Sequence, residues 1–333
     1  MKKINSFKHL SPHKNVVIIG NGKSALDCVK VIQQYNCGNP DVHCNLVAVV
    51  TDTTNTEIGS DTDLFYESNG INHIKTDSIN SEKFIKKLPE LKIDLIYSIN
   101  DFQIIKEKLL KIPKNGIINF HNAPLPKYGG LNGCTWAIVK GEKKYGVTWH
   151  FVEVGIDSGD IIAQRIFPIN EDTTAIQLIM KCIQEGVFLF KEILPKIMND
   201  KIERTMQDPS KRLYYRKNEI PNSGNVDFSW NFKQFNNFIR GLNFNPFSNL
   251  LVYPKAYYGN REFYIDKVEL VKYALNKNPG KLIKVTDKSL WFALPDAVAA
   301  LTHVRNNKKR ITKLNEFIAE YKVENNKFFT AAQ

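Results

Sequence analysis

The sequence predicts an α/β protein: a Rossmann-like, mostly parallel sheet with helices on both faces, followed by a small, mostly-β, OB-like barrel domain. Three observations predict it. Residues 15–120 alternate short apolar runs with helical patterns, the rhythm of strand–helix–strand units whose parallel strands need crossover helices. From about residue 205 that rhythm stops, aromatic residues and prolines rise, and short alternating runs between turns suit a small barrel. The charge divides at the same place: residues 201–333 carry 23 Lys+Arg against 12 Asp+Glu, while residues 1–200 carry 23 against 22. A catalytic domain over 1–204 and a β-rich domain over 205–333 follow from these shifts.

Element by element, Val16–Ile19 reads as a strand, and Lys23–Gln34 as a helix with Ala25, Leu26, Val29 and Ile32 on one face. Asn45–Val50, Asn72–Lys75, Ile93–Ser98 and Gly116–Asn119 continue the strands, with Ile104–Leu110 helical between the last two. Tyr145–Val154 and Asp160–Ile169 read as strands, and Thr173–Met198 as a long amphipathic helix. Beyond residue 205, Phe232–Leu242 reads as a helix; Val252–Tyr257, Phe263–Leu270, Lys281–Val285 and Leu290–Leu294 read as strands.

Composition sets bounds on function. With 43% hydrophobic and 24% charged residues, the 333-residue chain has an ordinary globular balance. No apolar run reaches the roughly 20 residues of a membrane helix, and the basic start MKKINSFKHLSPHKN lacks the apolar core of a signal peptide. Five cysteines, Cys28, Cys37, Cys44, Cys134 and Cys182, form no CxxC pair, which predicts reduced thiols, a cytoplasmic location and no metal site. The scattered lysines of the basic half, clustered only at Lys211-Arg212 and Lys308–Arg310, fit a solvated surface better than a nucleic-acid face.

The chemistry concentrates between Ile117 and Gln164. Asn119 and His121 stand two apart at the end of a buried strand, so their side chains share one face. That end of an open parallel sheet is where ligands bind. Pro124, Pro126, Gly129 and Gly130 then force an irregular loop, and Asp157 stands in the glycine-flanked turn GIDSG. An amide donor, an imidazole and a carboxylate converging on one polar centre suit acyl transfer: a donor for a developing oxyanion, and an acid/base group held by an acid. Taken singly each has an ordinary structural explanation, a buried histidine or a turn-capping asparagine, and only the block as a whole points to chemistry. His150 reads as structural, a strand residue under the site.

The segment resembles the folate-dependent formyltransferases. Their pattern is Asn-x-His, Leu-Pro-x-Tyr-x-Gly, Gly-Val-Thr-x-His and Asp-x-Gly-x-Ile. It is matched here by Asn119-Phe-His121, Leu125-Pro126-Lys-Tyr128-Gly-Gly130, Gly146-Val147-Thr148-Trp-His150 and Asp157-Ser-Gly159-Asp-Ile161. The resemblance implies transfer of a formyl group from N10-formyltetrahydrofolate, as co-substrate, to an amine, with Asn119, His121 and Asp157 catalytic. It places the pterin against Ile99, Asn100 and Phe102 and the backbone of Gly155, Ile156 and Ser158.

Several acceptors fit that chemistry. A methionyl-tRNA formyltransferase has a similar two-domain plan and a basic second domain. Against it, Thr51–Asp63 is acidic where a tRNA-binding insertion would be basic, and the first turn reads GNGKS. Glycinamide ribonucleotide transformylases have a similar first turn and no second domain. In texture, APLPKYGGLN and GVTWH resemble the sugar-nucleotide and peptide-synthetase-attached formyltransferases. A small-molecule primary amine on a phosphate-bearing handle is therefore the expected acceptor, with tRNA the alternative, no membrane partner, and a homodimer compatible. GNGKS lacks the first glycine of a Walker loop, since Val17 stands there, but its backbone opens a helix and can hold an anion. Gly22, Lys23, Ser24 and Tyr128 are assigned to the acceptor. Gly20, Gly22, Ala25 and Asp52 also approximate a dinucleotide fingerprint, so an NAD(P)-dependent oxidoreductase is the reading from another class.

Overall fold

A computed structural model describes residues 3–4, 13–53, 60–99, 103–249 and 251–331. These form two compact units, and neither is one continuous stretch. The first takes Met1–Leu131, Tyr145–Phe167 and Met180–Tyr214; the second takes Asn132–Lys144, Pro168–Ile179 and Tyr215–Gln333.

In chain order the first elements are β1 (Lys3–Ile4), β2 (Lys14–Ile19), α1 (Gly22–Gly38), β3 (Cys44–Asp52), α2 (Ser60–Ser68) and β4 (His73–Thr76). There follow α3 (Glu82–Ile85), β5 (Leu95–Ile99), α4 (Glu107–Leu110), β6 (Ile117–His121) and β7 (Gly129–Gly130). After α5 (Gly133–Val139), which belongs to the second unit, come β8 (Lys144–Phe151), β9 (Ile161–Pro168), α6 (Ala175–Met198), β10 (Arg204–Thr205) and β11 (Tyr214–Tyr215).

The first unit is a nine-stranded mixed sheet in the order β1-β10-β9-β8-β6-β5-β2-β3-β4. From β4 to β6 neighbouring strands are parallel, and β8 turns antiparallel against β6. Strand order reverses beside β2, so the carboxyl ends of β2, β5 and β6 open on the crevice where doubly wound sheets bind ligands. Near-continuous apolar runs such as Val16–Ile19, all fully buried, follow from helices covering both faces. One side of the sheet packs Val17, Ile19, Val50, Ile96 and Ile117 against Phe84, Leu88 and Leu109. Against another part lies α6, where Gly186 leaves so little room that an added Cβ would sit 2.1 Å from the Phe120 ring.

Two expected elements changed length for visible reasons. The helix expected over Ile104–Leu110 is only Glu107–Leu110. Asn80 takes the Ile104 carbonyl and the Lys106 N–H on its side chain and holds Lys106 extended. The first helix runs past Gln34 to Gly38, and Asn36 bonds both backbone groups of Cys44 at the start of β3. Cys28 and Cys44 are buried free thiols, which burial raises far above the usual thiol range.

The second unit holds α7 (Phe232–Gly241), β12 (Lys255–Tyr258), β13 (Arg261–Tyr273), β14 (Leu282–Val285), β15 (Leu290–Leu294), β16 (Ala297–Arg305), β17 (Ile311–Thr312), α8 (Leu314–Tyr321) and β18 (Phe329–Thr330). It is mostly β, a curled antiparallel sheet in the order β14-β15-β16-β13-β12-β18. The Leu282 N–H to Lys327 and Phe329 N–H to Gly280 bonds join its first strand to its last and close the curl. Phe228, Phe235, Phe263, Phe292, Phe317 and Phe329 fill it.

Candidate active site

The site is built at the end of β6 and in two loops of the first unit. Asn119 and His121 project to the same face of β6, as their spacing requires. His150, opposite Asn119 in the antiparallel register, joins them from β8. The turn between β8 and β9 supplies Asp157 in a left-handed conformation (φ 52°). Its flanking glycines are required by close approach: a Cβ on Gly159 would lie 1.9 Å from the Phe151 carbonyl oxygen, and one on Gly155 2.5 Å from Ser158 Oγ.

The hydrogen bonds fix the protons. His150 Nδ1 lies 2.8 Å from the Phe151 carbonyl, which can only accept, so Nδ1 carries the proton and Nε2 is an acceptor. Burial first, and the neighbouring His121 second, push His150 down to about 4 against the opposing pull of Asp157, so it stays neutral at physiological pH. Its Nε2 takes one N–H of the Asn119 amide at 3.1 Å, while Ser98 Oγ donates to Asn119 Oδ1 at 2.8 Å. Both ends of the amide are thereby oriented, and its second N–H is left to a ligand.

His121 has the opposite tautomer. Its Nε2 donates to the Tyr128 carbonyl at 3.0 Å, which leaves the Nδ1 lone pair facing Asp157 Oδ1 at 3.7 Å. That gap is too long for a hydrogen bond and short enough for strong attraction once Nδ1 is protonated. Asp157 Oδ1 is also 3.8 Å from His150 Nε2, and Oδ2 accepts from the Gly130 N–H at 2.8 Å. Asn119, His121, His150 and Asp157 thus surround one point.

Beside it opens a cleft of about 310 Å³ lined by Ile104, Lys106, Glu107, Leu110, Asn119, His150, Val152 and residues 153–157. Of the residues assigned to the pterin, Gly155 and Ile156 line this cleft, and Ser158 packs behind Gly155. Ile99 ends β5 and is buried, its carbonyl packed against Gly20; Asn100 and Phe102 lie outside the described residues.

The acceptor assignments are spread more widely. Gly22, at φ +69°, begins α1 with Lys23 and Ser24 in its first turn. Asn21 makes no side-chain cap there, its Oδ1 accepting instead from the Asp52 N–H. Lys23 is exposed and paired with Asp27, and Ser24 is buried. Tyr128 is buried with its ring edge-on to Tyr145, so what reaches His121 is its carbonyl and not its phenol.

Residues the sequence did not single out complete the frame: Ser98 on Asn119, Gln207 on the Asp157 and Gly159 carbonyls, and Arg212 on the Ile156 carbonyl. Only Ser98 carried a signal, since β5 lies next to β6 and the register sets it opposite Asn119.

A mixed sheet of doubly wound type with an amide, two imidazoles and a carboxylate gathered at the end of its central strands is the frame of the site. Residues 14–194 match the formyl transferase family, and residues 220–322 match the formyl transferase C-terminal domain. The chain belongs to that family and is a formyltransferase. It is 30% identical to the methionyl-tRNA formyltransferase of Clostridium novyi (strain NT) over 244 residues, 73% of this chain and 76% of that protein. The N-formyltransferase from Helicobacter canadensis, solved with folinic acid and dTDP-3-aminofucose, has a similar fold (TM-score 0.66, 23% identity, 86% of this chain and 98% of that one). So does a 4-N formyltransferase from Francisella tularensis (TM-score 0.55, 20% identity, 71% and 90%). The family match sets aside the oxidoreductase reading of the glycine turn.

Proposed function

We propose that this enzyme moves a formyl group from N10-formyltetrahydrofolate to the primary amine of a small molecule carrying a phosphate handle. The observation that carries the reaction is the oriented Asn119 amide beside His121 Nδ1 and the Asp157 carboxylate. Asn119 directs its free N–H to the formyl oxygen, where negative charge develops as the amine attacks, and no reorganisation is needed because Ser98 and His150 already hold the amide. His121 Nδ1 accepts the amine proton, Asp157 stabilises the imidazolium that forms, and the same proton returns to the leaving nitrogen. The apolar side chains of the cleft, with the polar Asn119 and His150 and the charged Lys106, Glu107 and Glu153 among them, suit a planar, amide-edged ring such as a pterin.

The handle is read from the α1 turn, whose glycine-opened first turn with Lys23 and Ser24 suits a phosphate. Similarity in fold to an enzyme solved with dTDP-3-aminofucose supports the same reading. The second reading, methionyl-tRNA as acceptor, rests on the 30% identity to the clostridial enzyme over most of the chain. A radiolabelled formyl transfer assay with dTDP-3-aminohexoses, dTDP-4-aminohexoses and charged initiator tRNA in parallel separates them. Turnover of an amino-sugar nucleotide at least 100-fold above that of the tRNA is expected, and the reverse ratio would establish the second reading.

A further inference from the structure

We infer that the segment 207–213, through Gln207 and Arg212, is the device that sets the Asp157 carboxylate, and that Gln207 is a positioning residue for the transfer. The inference rests on the proposed role of Asp157. Asp157 sits at a left-handed φ of 52°, in a turn that by itself offers the backbone little to hold it. Gln207 Nε2 donates to the carbonyls of Asp157 (2.9 Å) and Gly159 (2.7 Å), one on each side of the turn's tip. Arg212 Nη2 donates to the Ile156 carbonyl at 2.7 Å. Three successive parts of the turn are therefore tied to one strap.

The same strap also holds the other loop of the site. Gly129 N–H donates to the Leu213 carbonyl at 2.9 Å, and Leu213 N–H to the Pro126 carbonyl at 3.2 Å. The 126–130 loop carries the two groups that finish the site: the Tyr128 carbonyl on His121 Nε2 and the Gly130 N–H on Asp157 Oδ2. Asp157 is thus held from both sides, its backbone by Gln207 and its carboxylate by a loop moored to Leu213. Because Oδ1 stands 3.7 Å from His121 Nδ1, outside hydrogen-bond range, nothing between the two side chains fixes their separation. The strap fixes it. A carboxylate that drifts from an imidazole loses its hold on the charged form and weakens the acid/base step, while the part of the cleft wall carried by the same turn loosens to a lesser degree.

The test is a double-mutant cycle on the full-length enzyme with Gln207→Ala, Asp157→Ala and the pair, reading kcat, KM for N10-formyltetrahydrofolate and the pH profile of kcat. Gln207→Ala is expected to lower kcat 10- to 100-fold, raise the folate KM by a smaller factor, and shift the limb of the profile that reports the imidazole. In the Asp157→Ala background it should lower kcat by less than twofold more. Gln207→Glu, equal in shape but without the donors, should behave as Gln207→Ala. Arg212→Ala should show a smaller loss in the same direction and keeps the test open if position 207 tolerates nothing. Wild-type kcat and pH profile in Gln207→Ala, with Asp157→Ala inactive, would overturn the strap and leave the site standing. An active Asp157→Ala would overturn the site reading, and the strap's role with it. Full additivity of the two substitutions would reduce Gln207 to a stability residue.

Discussion

At the residue scale the site is a problem in proton placement, and His150 decides it. Being buried and bonded to its own neighbour's carbonyl, it presents a lone pair to Asn119 and so dictates which end of that amide faces the ligand. The strand residue expected to be structural thus sets the orientation of the Asn119 amide. Asn119→Ala is expected to lower kcat by about 10²- to 10³-fold with little change in KM, as loss of one oxyanion donor does, measured by steady-state kinetics. Protonating His150 would remove the acceptor and unseat Asn119. The same group links folding to pH. Between pH 6.5 and about 4 the unfolded chain takes up a proton at this position that the folded protein does not, so stability falls as pH drops through that window. Urea unfolding at pH 7.5 and pH 4.5 should show this difference in the wild type and much less of it in His150→Gln.

At the element scale, contact between backbone and backbone holds the sheet ends that carry the site. A Cβ on Gly20 would stand 1.9 Å from the Ile99 carbonyl oxygen, so β2 and β5 can end side by side only with glycine there. Gly186→Ala is expected to cost about 1–3 kcal/mol by overpacking α6 on the Phe120 ring, read as a lowered Tm with kcat nearly retained. These elements were largely legible in the sequence because apolar runs and their periods report burial directly. Those that escaped had ambiguous patterns. Gly133–Val139 reads GCTWAIV, poor in helix formers, and Ala297–Arg305 reads AVAALTHVR, whose alanines suit a helix as well as a strand. In the site, Asn119, His121 and Asp157 were legible because two sit at strand spacing and the third in a marked turn. The Tyr128 carbonyl, the Gly130 N–H and Gln207 were not, since main-chain partners and side chains some 50 positions away leave no local signature.

At the scale of the whole molecule the open matter is the acceptor. Lys23→Glu should raise the acceptor KM about tenfold or more and leave the folate KM unchanged, by setting a carboxylate beside Asp27 where a phosphate would bind. Neutralising Lys308, Lys309 and Arg310, in the turn between β16 and β17, should change transfer to a small amine less than twofold at any salt concentration. A salt-dependent loss in a tRNA assay would mark that turn as a phosphate contact. The closure of the β-rich unit, by Leu282 on Lys327 and Phe329 on Gly280, bears on this from another direction. The bonds between β14 and β18 close one seam of the sheet, while β13, which pairs with β12 only over Arg261–Tyr264, runs on to Tyr273 with β16 alone beside it among the described residues. A strand lent to this unit would therefore have to pair along Lys267–Tyr273 of β13 and not at the β14–β18 seam.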